Sequence, residues 1–289
     1  MLLSSIVVLS EAALSLYPIL IKTVPTNLGT QLVARLVTYS TLGFLLASPS
    51  DIQQTWGNLP GVLRSIGLGS ITLIHIASSY YAFDSLPAGV SMSLFYTYPI
   101  FNILGAAFLF GESFGFKEIL LVGLAFLGSV LVSFSNKEDS GNHASGQKKE
   151  NGISWKGIAA GILAALTESA MYFAVRTAKQ PDPFYAILEL YPAALPMLLA
   201  YLFFTKSPID LQSSVWTPML LFNTIVGFVG YSLRFYAIPR LSTIVFSLLS
   251  FVGVLTSFLW GYVFVNEVPT ALSLLGGSLI AAAAAFGKQ

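Results

Sequence analysis

The chain has 289 residues, 55% of them hydrophobic and 9% charged, with a formal net charge of +1. A soluble domain carries about 25% charged residues, so the polar groups here are too few to coat a water-borne particle and lipid must cover much of the surface. The near-zero charge leaves no basic footprint for nucleic acid, and the absence of cysteine excludes disulfides and thiolate metal sites.

A bilayer-spanning helix needs about 20 mostly apolar residues. Ten such stretches lie between turn signals, at 2–22, 28–47, 63–83, 88–110, 118–135, 154–176, 184–204, 214–237, 241–264 and 270–287, and are numbered segments 1 to 10 below. The first has no basic region before it and no small-residue cleavage site, and Glu11 interrupts its apolar run. It is therefore read as a membrane helix and not as a signal peptide. Breaks fall at Pro25-Thr26-Asn27, Pro49-Ser50-Asp51, Leu86-Pro87, Pro181-Asp182-Pro183, Pro208 and Pro269. Pro18, Pro99, Pro192 and Pro196 lie inside segments, where membrane helices tolerate them.

Residues 136–153, NKEDSGNHASGQKKENGI, are polar and carry charges of both signs. This composition predicts a solvated linker dividing the chain into 1–135 and 154–289. Its lone His143 offers a metal a single ligand, and no metal or cofactor is expected. The two halves repeat each other. Leu9-Ser10-Glu11 recurs 157 residues on as Leu166-Thr167-Glu168, and Tyr81-Ala82 recurs 155 residues on as Tyr236-Ala237. The helix end at Gly111-Glu112 recurs as Asn266-Glu267, again 155 residues on. Five spans per half is an odd number, so equivalent helices must cross the bilayer in opposite directions. Such an inverted repeat places a site at the midplane and permits alternating access. Lys and Arg near the segment ends divide evenly between the two faces, so the positive-inside rule does not orient the chain.

A charge at mid-bilayer costs at least about 2.5–3.5 kcal/mol and marks a pathway, an ion pair or a proton relay. The interior set comprises Glu11, Arg35, His75, Glu168 and Glu189, while Arg234, a turn from the end of segment 8, is read as snorkelling to the interface. Arg35 and Glu189 are equivalent at an offset of 154, as Glu11 and Glu168 are at 157. Helical spacing adds polar and aromatic neighbours on the same faces: Tyr39 after Arg35, Ser79 after His75, Tyr172 after Glu168, then Tyr98 in segment 4 and Tyr231 in segment 8. Arg35 could equally serve as a structural counter-ion, and His75 as a hydrogen-bonded core residue. One Arg cannot neutralise three carboxylates, so a surplus carboxylate must be held as the neutral acid or matched by a bound cation. Glu11 and Glu168 are the residues expected to exchange a proton for substrate.

These residues carry a family resemblance. Tyr81-Ala82-Phe83, Tyr98-Pro99, Gly111-Glu112 and the glycines Gly123 and Gly128 resemble the EamA-type repeat of the drug/metabolite transporter superfamily. The second half matches more loosely through Tyr236-Ala237, Asn266-Glu267, Gly276 and Gly277, with Val254 where the helix-4 proline would stand. The resemblance implies an all-α bundle of ten transmembrane helices, as two inverted five-helix repeats around a central cavity. It also implies that Glu112 and Glu267 cap helix ends and hold no solute.

The function expected is secondary transport of a small organic metabolite across a plasma or organelle membrane, by a monomer or homodimer, with protons as the coupling ion. An acidic, aromatic-lined cavity suits a cationic or zwitterionic amine, such as an amino acid or a choline-like compound. An anionic solute such as a sugar phosphate or nucleotide sugar is the alternative, and a channel is a third reading. No nucleophile elbow, phosphate-cradling loop or metal motif supports an enzyme.

Overall fold

A computed structural model describes residues 2–86, 88–135, 154–178, 180–265 and 270–286. The linker 136–153 and the helix-end residues Asn266 and Glu267 lie outside the described residues. Those described form helices joined by turns, with no strand among them. Seven helical stretches among them are long and apolar enough to cross a bilayer: Leu2–Thr23, Leu59–Ser85, Ser91–Phe110, Trp155–Arg176, Pro183–Thr205, Ser213–Arg240 and Thr243–Phe264. These coincide with segments 1, 3, 4, 6, 7, 8 and 9. Segments 2, 5 and 10 are also helical, at Leu28–Leu46, Phe116–Ser135 and Ala271–Phe286. Segment 2 is less apolar because it buries Thr30, Gln31, Arg35 and Thr38 within the bundle. Rings at Phe108, Phe116, Phe203 and Phe204 point outward and supply the lipid-facing surface.

Local chemistry sets the segment ends. Asn27, Asn58, Ser154, Asp182 and Ser242 each accept a backbone N–H of the first helical turn that follows. Ser48 and Asp51 form a reciprocal capping box that starts a short helix, Pro49–Trp56, where the sequence suggested only a break. Four segments are discontinuous. Segment 1 breaks between Leu2–Leu14 and Tyr17–Thr23, segment 4 between Ala88–Phe95 and Tyr98–Phe110, segment 7 between Pro183–Leu190 and Ala194–Thr205, and segment 9 at Phe251. Pro18, Pro99 and Pro192 stand at the first three breaks, where a missing N–H and a fixed φ end one helix and start the next. Segment 8 carries Pro218 inside its first helix and then a π-helical turn, Asn223–Phe228, a form that recurs at functional sites.

Packing exchanges the halves. Segment 3 lies along segment 6 as segment 1 lies along segment 8, while segments 5 and 10 pack on one another. The loops show the orientation. Thr26 and Asn27 hydrogen-bond to Asp210 and the Pro208 carbonyl, after segment 7. At the far end of segment 2, about 28 Å away for its 19 residues, Gln54 bonds to Gln180 and Tyr185, beyond segment 6. The loops after segments 1 and 6 are equivalent in the repeat, yet they sit at opposite ends of the bundle.

Candidate functional site

The breaks in segments 1 and 4 converge on one buried guanidinium. Arg234 donates from Nη2 to both Glu11 oxygens, at 2.7 and 2.6 Å, and from Nε to Oε1 at 3.2 Å. Its Nη1 reaches Glu168 Oε1, and its Nη2 also donates to the Tyr98 hydroxyl at 3.1 Å. Tyr98 and Tyr96, on either side of the segment 4 break, donate to Glu11 at 3.2 and 3.3 Å. Arg234 is 1% exposed, so the sequence expectation of snorkelling is corrected. The reason is that Glu11 and Glu168 reach it inside the bundle, and two charge-assisted contacts hold a guanidinium that would otherwise seek water.

His75 completes this cluster. Its Nδ1 lies 3.1 Å from the carbonyl oxygen of Ala164, which can only accept, so Nδ1 carries a hydrogen. The other ring nitrogen, Nε2, lies 3.1 Å from Glu168 Oε2. That is an ion-pair distance, so a proton on the imidazole or on the carboxyl is stabilised by the group opposite. The Tyr231 hydroxyl is 3.4 Å from both partners.

Arg35 occupies a separate chamber next to it. Its guanidinium carbon stands 4.6 Å from the ring centre of Tyr17, 5.0 Å from Tyr231, 5.3 Å from Tyr39 and 5.6 Å from Tyr80. It donates to the Tyr191 hydroxyl at 3.4 Å, and its Nε has no partner. Tyr231 is near both guanidinia, its ring centre also 5.4 Å from that of Arg234. A cavity of about 20 Å³, lined by Arg35, His75, Ser79, Tyr231 and Arg234 among others, joins the two chambers. That is room for about one water. Glu11, Arg35, His75, Glu168 and Arg234 around it are all buried.

The model of the EamA-like transporter family matches twice, over residues 2–134 and 155–286. The chain belongs to the EamA-like transporter family. It is a multi-pass membrane protein that transports a small molecule and is not an enzyme. It is 23% identical over 224 residues to the pseudopaline exporter CntI of Pseudomonas aeruginosa, covering 77% of this chain and 74% of that protein. It is 31% identical over 75 residues to an uncharacterized transporter of Synechocystis, a match spanning 26% of this chain and only 23% of that protein's length. A crystal structure superposes with a TM-score of 0.72 at 18% identity, covering 99% of this chain and 98% of the other, which shows a shared fold.

Within this EamA-like bundle the sequence-derived residues separate into groups. Glu11, His75, Tyr98, Glu168 and Tyr231 surround Arg234, while Arg35 and Tyr39 lie in the tyrosine chamber and Ser79 lines the cavity joining them. Glu189 is elsewhere, a correction to the single shared cavity. Arg64 of segment 3 grips it at 2.8 and 3.3 Å, and Tyr185 one turn earlier donates to it at 2.9 Å. Tyr172 also turns away, to Thr243 and Arg176, and Arg176 in turn pairs with Glu112 at 2.8 Å. Counting Arg234 and Arg64 with Arg35, arginines equal carboxylates over these sites, but around Arg234 two carboxylates still face one guanidinium. Sequence reasoning missed Tyr17, Tyr80, Tyr96 and Tyr191, whose signal was tyrosine recurring in segments otherwise built of aliphatic residues and Phe.

Proposed function

We propose that the chain carries a small organic amine, cationic or zwitterionic, in exchange for a proton, and that Glu168 is the group for which the two compete. One observation carries this reading: the His75–Glu168 contact at 3.1 Å, with the other imidazole nitrogen already committed to Ala164. On this reading a proton resides on one of these two groups, and a substrate ammonium displaces it. An ammonium offers three N–H donors and can take Glu168 and the Tyr231 hydroxyl together. Arg234 keeps its two-pronged grip on Glu11 throughout, so Glu11 is a fixed partner and Glu168 the exchangeable one. The cluster then holds two carboxylates, one guanidinium and one further positive charge, whether proton or ammonium. Neither state leaves an unmatched charge among these four residues, which matters at low dielectric.

Alternating access needs the closed cavity to open to each face in turn. The antiparallel halves supply two equivalent ways of opening, and the broken helices of segments 1, 4, 7 and 9 supply the pivots. The exporter name of one relative supports outward movement of solute. Sugar phosphates fit less well, because Arg35 is the one guanidinium of the two chambers without a carboxylate partner among the described residues.

Counterflow of labelled amino acids and primary amines in proteoliposomes tests the reading. Uptake should saturate, be stimulated by unlabelled solute on the other side, and disappear in Glu168→Gln. Flux without saturation or countertransport means a channel and ends the proposal.

A further inference from the structure

Of the arginines that reach into the bundle, Arg35 is the one without a carboxylate partner among the described residues. Arg234 has Glu11 and Glu168, Arg176 has Glu112, and the half-exposed Arg64 has Glu189. Arg35, 2% exposed, has neutral phenols only. Two donors beside it are unused: its own Nε and the buried hydroxyl of Tyr80. The neighbouring hydroxyls are already engaged, since Tyr17 donates to Asn223 Oδ1 at 2.9 Å and meets Tyr39 at 3.0 Å. Aromatic faces attract a guanidinium but do not cancel its charge, and a buried charge without a counter-ion is strongly disfavoured.

We propose that Arg35 and Tyr80 form the subsite for the anionic group of the solute, a carboxylate, so that the transported amine is a zwitterion and not a choline-like cation. The proposal rests on the amine reading above only for the other end of the solute. The ammonium goes to Glu168 and the carboxylate to Arg35, with the Tyr231 ring centre 5.0 and 5.4 Å from the two guanidinia. Arg234 stays with Glu11. The loaded site then pairs every charge in both chambers: guanidinium with carboxylate at Arg35, ammonium with carboxylate at Glu168. A lone cation would leave Arg35 bare. Arg35 forks in a plane matched to two carboxylate oxygens, a geometry that lysine lacks.

The test is a thermal-shift titration of purified protein with sodium acetate against sodium chloride at matched ionic strength, in wild type and in Arg35→Gln, Arg35→Lys, Tyr80→Phe and Glu168→Gln. Acetate should raise the melting temperature of wild type saturably. Its apparent affinity should fall at least tenfold in Arg35→Gln and several-fold in Arg35→Lys and Tyr80→Phe, and it should be unchanged in Glu168→Gln. Arg35→Gln without acetate should melt no lower than wild type, since a bare charge has been removed, and should still release protons when an amine is added. Absence of an acetate effect in wild type, or its survival in Arg35→Gln, overturns the proposal. So does chloride reproducing the shift with acetate adding nothing, because the site then holds a free anion. Loss of amine-driven proton release in wild type with the acetate effect intact would instead remove the amine reading and leave the Arg35 subsite standing.

Discussion

Replacing Glu168 by Gln removes its charge and faces His75 with an amide N–H₂, and this makes the two central glutamates separable by stability. In Glu168→Gln the amide can donate to His75 Nε2, which faces this side chain at 3.1 Å, while its oxygen still accepts from Arg234 Nη1. Arg234 also retains its bonds to Glu11. The loss is one charge-assisted bond traded for a neutral one, about 1 kcal/mol. Glu11→Gln differs. Glu11 accepts three bonds from Arg234 and two from Tyr96 and Tyr98. A Gln there turns one oxygen into a donor aimed at another donor, Arg234 Nη2. Two charge-assisted bonds are weakened, at about 1.5–3 kcal/mol each, and relaxation toward Glu168 brings the net cost to about 2–4 kcal/mol. At about 2–4 °C per kcal/mol, Glu11→Gln should lower Tm by roughly 4–16 °C and Glu168→Gln by less than about 4 °C. Thermal unfolding of both variants in one detergent measures this. Equal falls, or a larger fall in Glu168→Gln, refute the division into a fixed and an exchangeable carboxylate.

Three further outcomes follow from the packing. A Cβ on Gly253 would overlap both the hydroxyl and the ring edge of Tyr96, so Gly253→Ala should cost about 1–3 kcal/mol by overpacking, read as a fall in Tm that Tyr96→Phe, which keeps the ring, does not restore. Arg64 is half exposed and Glu189 buried, so Arg64→Gln, which strands the carboxylate, should destabilise by about 1–3 kcal/mol and more than Glu189→Gln does; both should keep amine-driven proton release, and its loss in Glu189→Gln would relocate the coupling. The chain has no cysteine, so single cysteines at Thr26 and Gln180 can be labelled in intact vesicles with an impermeant maleimide. They should label from opposite faces, and labelling of both from one face contradicts the antiparallel halves.

Composition and segment spacing made the membrane-spanning helices legible, because apolar runs of bilayer length have few other uses. The repeat, which the family matches twice, was legible through Glu11 with Glu168 and Tyr81-Ala82 with Tyr236-Ala237. Partner choice was not. Arg234 lies near a segment end, and one-dimensional depth suggested the interface, while its actual position depends on where segments 1 and 6 cross segment 8. Glu189 and Arg35 are equivalent in sequence, but Arg64 reaches the first and a tyrosine chamber surrounds the second. Repeat equivalence constrains backbone position, and the side chains opposite differ between the halves. The break in segment 9 occurs without proline, so nothing local to the sequence announced it, whereas Pro18, Pro99 and Pro192 stand at breaks that the sequence reading passed over as ordinary membrane-helix prolines.

Proton release on solute addition tests the exchange at Glu168 most directly. Purified protein in weakly buffered detergent is titrated with amino acids and amines while a pH dye reports released protons. The account predicts close to one proton released per amine bound by wild type, and none by Glu168→Gln, where the amide has replaced the exchangeable proton. Binding without proton release in wild type, or undiminished release in Glu168→Gln, would contradict it.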